Sequence, residues 1–382
     1  MLANSLNIKC LRNHSHTETK NFAPLVNVII GPNGAGKTSI IEAILVSALS
    51  KSFISTSDAA LVRTGESGYS IAAGFTSSLG VGVHVTVDYQ LGPPAKKTIH
   101  INNDRLRSSA ELIGRIPIVA MTPDDKVITS GSPDERRRFL NLVLSQASHK
   151  YLLDEIEYRK AVKHRNSLLN DLSKKNYGLQ SAKPQIEPWT EMVVKFAVPI
   201  MTRRANFIEE FRPFLLESYR LLSDGKEEPM FRYAPMNLSQ WDGATNFESL
   251  IRKQIELREA EELRRGTTLA GAHRDEMIVM IDPERDAKNF ASQGQHKTLL
   301  VAMKLAEFNY LKDACGETPI LLLDDVFSEL DASRAKCLLE LIAGGTFGQT
   351  FITSTTRESF DAVVDFSGDK NRMFVVESGQ VK

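Results

Sequence analysis

Apolar positions follow a period of two, or run together in short blocks, over the first 121 residues, and this pattern predicts strands. LNIKCL and PLVNVIIG read as strands, and YSIAAGF and VGVHVTVDYQL alternate as half-buried strands do. IPIVAM reads as a short buried strand, and TSIIEAILVSAL as a helix. From residue 122 to 267 the spacing lengthens to that of helices. DERRRFLNLVLSQASHKYLLDEIEYRKAVKHRNSLLNDLSKK predicts one long helical stretch and WTEMVVKFAVPIMTRRANFIEEFRPFLLESYRLL another. The polar, proline-containing NYGLQSAKPQIEP between them reads as a separator. From 268 to 382 the first pattern returns, with a helix near QHKTLLVAMKLAEFNYLKDA and a strand PILLLDD. A helix near DASRAKCLLELI and a strand QTFITST follow. The predicted fold class is α/β, with residues 1–121 and 268–382 as the halves of one head and 122–267 as an inserted, mostly α-helical lobe. The lobe keeps no heptad long enough for an extended coiled coil.

Composition narrows this little. The 382 residues are 42% hydrophobic and 25% charged, with zero formal net charge, so no global basic field points to a nucleic-acid partner. No apolar run is long enough to span a bilayer, which predicts no membrane partner. The N-terminus lacks a signal-peptide pattern. Cys10, Cys315 and Cys337 are scattered and unpaired in spacing, which fits a reducing cytoplasm rather than a disulfide or zinc framework. The histidines show no ligand spacing, so a metal would have to take oxygen ligands.

Chemistry enters at Gly31, Pro32, Asn33, Gly34, Ala35, Gly36, Lys37 and Thr38, which match the phosphate-loop pattern G-x-x-x-x-G-K-[ST]. A strand precedes them and a helix beginning near Ser39 follows. The glycines let successive N–H groups turn toward a polyphosphate, and the helix N-terminus adds partial positive charge. Lys37 is placed to reach the β- and γ-phosphates of ATP, and the Thr38 hydroxyl to ligate Mg²⁺. A second acidic point lies at the end of PILLLDD, a strand apolar enough to be buried on both faces. Asp324 falls at its carboxyl end, where open α/β sheets bind ligands, and is assigned to Mg²⁺. Asp325 is assigned to polarising the attacking water. Many ABC ATPases carry glutamate there, so an aspartate implies slow turnover. Ser328 or Asp331 would cap the next helix.

The segment Ala291, Ser292, Gln293, Gly294, Gln295 resembles the ABC signature, with Ser292 as the N-cap of the following helix. In that superfamily the signature acts in trans, so the resemblance implies that Ser292, Gly294 and Gln295 touch ATP held by a second subunit. It also implies a homodimer formed on ATP binding. About 255 residues separate Lys37 from Ser292 but only about 30 separate Ser292 from Asp324. That spacing resembles the SMC-like branch rather than a transporter ATPase. No histidine follows FITST, where transporter ATPases place a switch residue.

More broadly the chain resembles the RecF family. The likeness is carried by LRNH before the phosphate loop, KSF and LVR after its helix, and TPDD at residues 122–125. It continues through GSPDERRRFL, YRK, RN, GAHRD in place of the more usual GPHRD, SQGQ and LLDDV. The resemblance implies an ABC-type head with a helical lobe and an ATP-dependent DNA clamp with weak DNA-stimulated hydrolysis. It adds Arg12 and Asn13 to the nucleotide contacts and implies a RecR-type mediator as partner. Loading of RecA at gapped DNA in repair and replication restart would be the outcome. A structural SMC-like tether and a transporter ATPase subunit are the alternative readings. For DNA, residues 134–175 hold ten basic residues against six acids. Arg159, Lys163 and Asn166 would share a helix face, with Lys51 and Arg63 as alternative contacts. Arg136, Arg137 and Arg138 would equally serve by pairing with acids inside the lobe.

Overall fold

A strand buried at nearly every position needs cover on both faces, and Val26–Ile30, Thr350–Ser354 and Ile320–Asp324 are three such strands side by side. In the computed structural model, which describes residues 1–55, 57–223, 227–238, 241, 243 and 246–381, a six-stranded sheet forms the centre of the first of two units. Its order runs Gln380–Val381, Asn371–Glu377, Val26–Ile30, Thr350–Ser354, Ile320–Asp324, Ile118–Met121, parallel apart from the first pair. Val26–Ile30 thus lies between two strands from the far end of the chain, and the head cannot form from either half alone. Asp324 stands opposite Thr353, and Thr353 opposite Ile29, so the strand ends that precede the functional loops are level.

A second, antiparallel sheet has the order His14–Lys20, Leu2–Leu11, Gly68–Thr76, Gly82–Gln90, Lys96–Ile101, Asp104–Arg105. Its strands alternate in burial, as one-sided sheets must. The helix Lys37–Leu49 is buried along nearly its whole length and shares one apolar core with residues of both sheets. The phosphate loop therefore leads into the most enclosed helix of the unit, which fixes its geometry.

The first unit comprises Met1–Lys126, Glu217–Asp224 and Lys297–Lys382, and the second Val127–Leu216 and Gly225–His296. These divisions fall at 126/127 and 296/297 rather than at 121/122 and 267/268. Sequence periodicity misses the reason, which is long-range. Strand Glu276–Met280 pairs antiparallel with Met230–Ala234 and so belongs with the lobe.

The helical stretches of the lobe resolve further, and one expectation among them is corrected. The stretch 134–175 is two helices, Pro133–Ala147 and His149–Lys174, parted at Ser148, whose hydroxyl caps the second by accepting from the Tyr151 N–H. The separator 176–188 is largely helical, because Leu179–Leu222 is one helix despite Pro184, Pro188, Pro199 and Pro213. Each interior proline costs about 3 kcal/mol. Ala182, Ile186, Val193, Val194 and Ala197 recur at helical spacing and are buried. Ala182 and Ile186 pack with Leu169, Leu172 and Leu263. Tertiary burial outweighs the local preference.

The lobe carries buried arginine–carboxylate pairs that tie distant segments together. Arg136 Nε and Nη2 donate to Glu276 at 2.8 Å each. Arg165 donates to Glu262 at 2.6 Å and to the hydroxyls of Thr190 and Thr268. Arg204 donates to Asp275 at 2.7 Å and to the Ala272 carbonyl at 2.6 Å. Much of what resembled a family signature is thus internal structure. GAHRD is the loop these arginines hold, and Gly271, at φ +122°, leaves no room for a Cβ beside the Tyr158 hydroxyl.

His273, partly buried in that loop, is pushed down to about 4 by burial, against the Thr268 carbonyl, which favours its protonation. Its Nε2–H donates to that carbonyl at 3.1 Å, and Nδ1 accepts from Tyr158 at 2.6 Å. The folded value lies below the unfolded value of about 6.5. The stability it contributes is therefore complete above pH 6.5 and is lost as the pH falls toward 4. Urea midpoints followed over that window should fall more steeply for wild type than for His273→Gln, and equal slopes would contradict the assignment.

Candidate nucleotide site

The phosphate loop is built by a strand that ends abruptly and a helix that begins at Lys37. Gly36, at φ +108°, supplies the left-handed residue before that helix, and a Cβ there would lie 2.6 Å from His14 Nε2. His14 Nε2 donates to the Gly36 carbonyl at 2.9 Å. Pro32, Asn33 and Gly34 form the exposed crest, while Ala35, Gly36, Lys37 and Ser39 are buried. Ala35 N–H donates to the Pro32 carbonyl and Ser39 N–H to the Gly36 carbonyl, closing the turn.

Lys37 is only 8% exposed. Its Nζ donates to the carbonyls of Gly31 at 2.8 Å and Pro32 at 3.0 Å, which hold the ammonium over the loop. Burial pushes its pKa down, and Asp325 and Asp324 pull it back up. A ligand carrying several negative charges would reverse the burial effect, so the site favours a polyphosphate.

Thr38 and Asp324 are 286 positions apart and hydrogen-bonded, Thr38 Oγ1 donating to Asp324 Oδ1 at 2.9 Å. Thr353 Oγ1 donates to the same oxygen at 2.7 Å. Thr353 also accepts from the Asp325 N–H at 2.9 Å, so one hydroxyl orients both acidic residues. Burial pushes the Asp324 carboxyl up, while the two hydroxyl bonds and Lys37 lower it. Asp325 sits at φ +50°, an uncommon conformation for a residue with a Cβ, and Ser328 Oγ donates to its carbonyl at 2.8 Å. Asp331 caps the next helix, accepting from the Arg334 N–H at 3.0 Å. Among the described residues no group of three or more His, Cys, Asp or Glu side chains could hold a metal. The donor set of one hydroxyl and one carboxylate fits Mg²⁺, which takes few protein ligands and completes its shell with phosphate and water.

Beside the loop lies a polar groove of about 360 Å³ lined by Arg12, Asn13, Gly34, Arg63, Thr64 and Ser378. Arg12 forms a forked pair with buried Glu42 at 3.1 and 3.2 Å. Asn13 Nδ2 donates to the Gly34 carbonyl, and Arg63 Nη1 to the Asn13 carbonyl, both at 2.6 Å. Arg63, proposed from sequence for DNA, is thus brought to Arg12 and Asn13. Lys51 and Lys163 are exposed, and Arg159 is exposed but bonded to Glu155 at 2.7 Å. Asn166 does not share their face to solvent, because its Oδ1 accepts from Thr268 N–H and Oγ1 at 2.7 Å each.

Ser292 belongs to the second unit and is exposed. It forms a reciprocal cap with Gln295: Gln295 N–H donates to Ser292 Oγ at 3.2 Å, and Ser292 N–H to Gln295 Oε1 at 2.8 Å. Gln295 Nε2 also donates to Glu227 at 2.9 Å. Gly294 lies within the first turn of the helix Gln293–Cys315. Sequence reasoning gave no site role to Thr353, His14 or Ser378. Thr353 and His14 matter through sheet register and through contact with glycine backbone, which no local pattern records.

A phosphate loop and an acidic strand end on a split parallel sheet define an ABC-type ATPase of the SMC-like plan. The model of the RecF/RecN/SMC N-terminal domain matches residues 2–375. The DNA replication and repair protein RecF of Prosthecochloris aestuarii is 37% identical over 372 residues, covering 96% of this chain and 97% of that one. RecF of Salinibacter ruber is 33% identical over 383 residues, 99% of this chain and 91% of the relative. The solved structure of the recombination mediator protein RecF with ATP, from the RecFOR pathway, superposes with a TM-score of 0.87 at 26% identity, covering all of this chain and 96% of the other. A Pyrococcus furiosus Smc head bound to a ScpA domain shares the fold at a TM-score of 0.54 and 15% identity, covering all of this chain and 95% of the other. The chain belongs to the RecF family.

Proposed function

We propose that this protein is an ATP-dependent DNA clamp: two copies close on ATP, hold DNA, and reopen after slow hydrolysis. The observation that carries this reading is the distribution of the site. Lys37, Thr38, Asp324 and Asp325 converge in one unit, while the exposed, capped Ser292 lies in the other. Phosphate binding falls to the N–H groups of residues 31–39 and to Lys37, with Arg12 and Asn13 at the adjoining groove. Thr38 and Asp324 would hold Mg²⁺, which when bound neutralises charge on the β- and γ-phosphates. Thr353 accepts from the Asp325 backbone N–H, and the Asp325 carboxylate would polarise the attacking water. Ser292, with Gly294 and Gln295, would present a hydroxyl and a helix N-terminus to the γ-phosphate bound by the second copy.

Exposed Lys51 and Lys163 would contact DNA phosphates, joined by Arg159 on leaving Glu155 and by Arg63 at the rim of the groove. Such contacts are indifferent to sequence, as a clamp at gapped DNA requires. A RecR-type mediator would be the direct partner and RecA loading the outcome, in the cytoplasm. Among the described residues no helix is long and apolar enough to cross a membrane. The reading is tested by sedimentation with Mg-ATP and a short duplex, in which a dimer retaining DNA is expected only when ATP is present.

A further inference from the structure

We propose that Phe290 docks on the phosphate-loop face of a second copy of this chain, so that an aromatic anchor stands beside each ATP in the closed dimer. The inference rests on the clamp reading above and adds a contact to it. Phe290 is 60% exposed, the one exposed phenylalanine among the described residues, and it ends the short helix Ala287–Phe290 two residues before Ser292. Among the described residues it is the one exposed large apolar side chain within two positions of a candidate site residue.

Its backbone is firmly held. Asp286 caps the helix by accepting from the Asn289 N–H at 2.9 Å and from Asn289 Nδ2 at 3.1 Å. Phe290 N–H donates to the Asp286 carbonyl and Ala291 N–H to the Ala287 carbonyl, and Ala287 is fully buried. Ordering a ring on a fixed backbone costs little entropy, which suits an anchor.

Reach selects the receiving surface. Two residues span at most about 7 Å between Cα atoms, so a Ser292 at the γ-phosphate of the second copy places Phe290 at the edge of that copy's phosphate loop. There lies the groove of Gly34, Arg12 and Arg63. Both guanidinium groups are already oriented, Arg12 by Glu42 and Arg63 by the Asn13 carbonyl. An aromatic face against a fixed guanidinium gains from both burial and the ring quadrupole.

The test is sedimentation equilibrium with Mg-ATP on wild type, Phe290→Ala, Phe290→Trp, Arg63→Ala and the Phe290→Ala/Arg63→Ala double variant, beside ATP titration of each monomer. Phe290→Ala should weaken dimerisation roughly tenfold or more. Its monomer should bind ATP as wild type does, and Phe290→Trp should dimerise nearly normally. The double variant should lose less than the product of the two single losses. Wild-type-like dimerisation of Phe290→Ala would overturn the inference and leave the clamp intact. Unchanged dimerisation with weakened duplex binding would assign the ring to DNA and also overturn it. A wild type that forms no ATP-dependent dimer would remove both the inference and the reading beneath it.

Discussion

Replacing Lys37 by methionine is expected to weaken ATP binding by roughly a hundredfold or more, about two charge-assisted hydrogen bonds. The ammonium is aimed by the carbonyls of Gly31 and Pro32 and stands near Asp324 and Asp325. Methionine has similar length and removes the charge without opening a cavity, so the thermal transition of the free protein should move little. Titration with a fluorescent ATP analogue reads the effect. Wild-type affinity in the variant would mean that the loop binds no triphosphate.

Arg204→Leu should cost the second unit about 3–5 kcal/mol, the loss typical of breaking a buried ion pair from one side. Arg204 is buried and donates to Asp275, to the Ala272 carbonyl, to the Tyr151 hydroxyl at 3.1 Å and to Asn141 at 2.9 Å. Without it, Asp275 keeps among the described residues the Tyr233 hydroxyl at 2.5 Å and the Met236 N–H at 2.9 Å. Burial already pushes that carboxyl up. Replacing both partners, as Arg204→Leu with Asp275→Leu, should recover part of the loss because no buried charge is then unpaired. Urea denaturation gives the values. A loss below about 1 kcal/mol for the single variant would show that the pair does not hold the loop.

What the sequence disclosed and what it concealed divide along the range of the interactions. The strand, loop and helix around Lys37 are a contiguous pattern, and they fold where their spacing puts them. The return of the parallel sheet after the lobe was legible because Ile320–Asp324 opens on an unbroken apolar run. Thr353 was not, since its place beside Asp324 depends on the register of two strands 29 positions apart. Arg63 carries a charge that reads equally as a DNA contact, and only folding puts it against Asn13. Pro184 and Pro188 signalled a break that apolar packing overrides. Arg165 and Asn166 resembled surface chemistry, whereas their partners lie about a hundred positions away.

The clamp is tested most directly by sedimenting wild type and Ser292→Arg side by side with Mg-ATP and a short duplex. The substitution places a bulky cation at the first turn of the helix Gln293–Cys315 and leaves Lys37, Thr38 and Asp324 untouched. Wild type should dimerise on ATP and carry the duplex with it. Ser292→Arg should bind ATP with unchanged affinity, remain monomeric and hydrolyse nothing. A Ser292→Arg protein that still forms ATP-dependent dimers on DNA would contradict the account, because the signature would then take no part in closing one copy on the other.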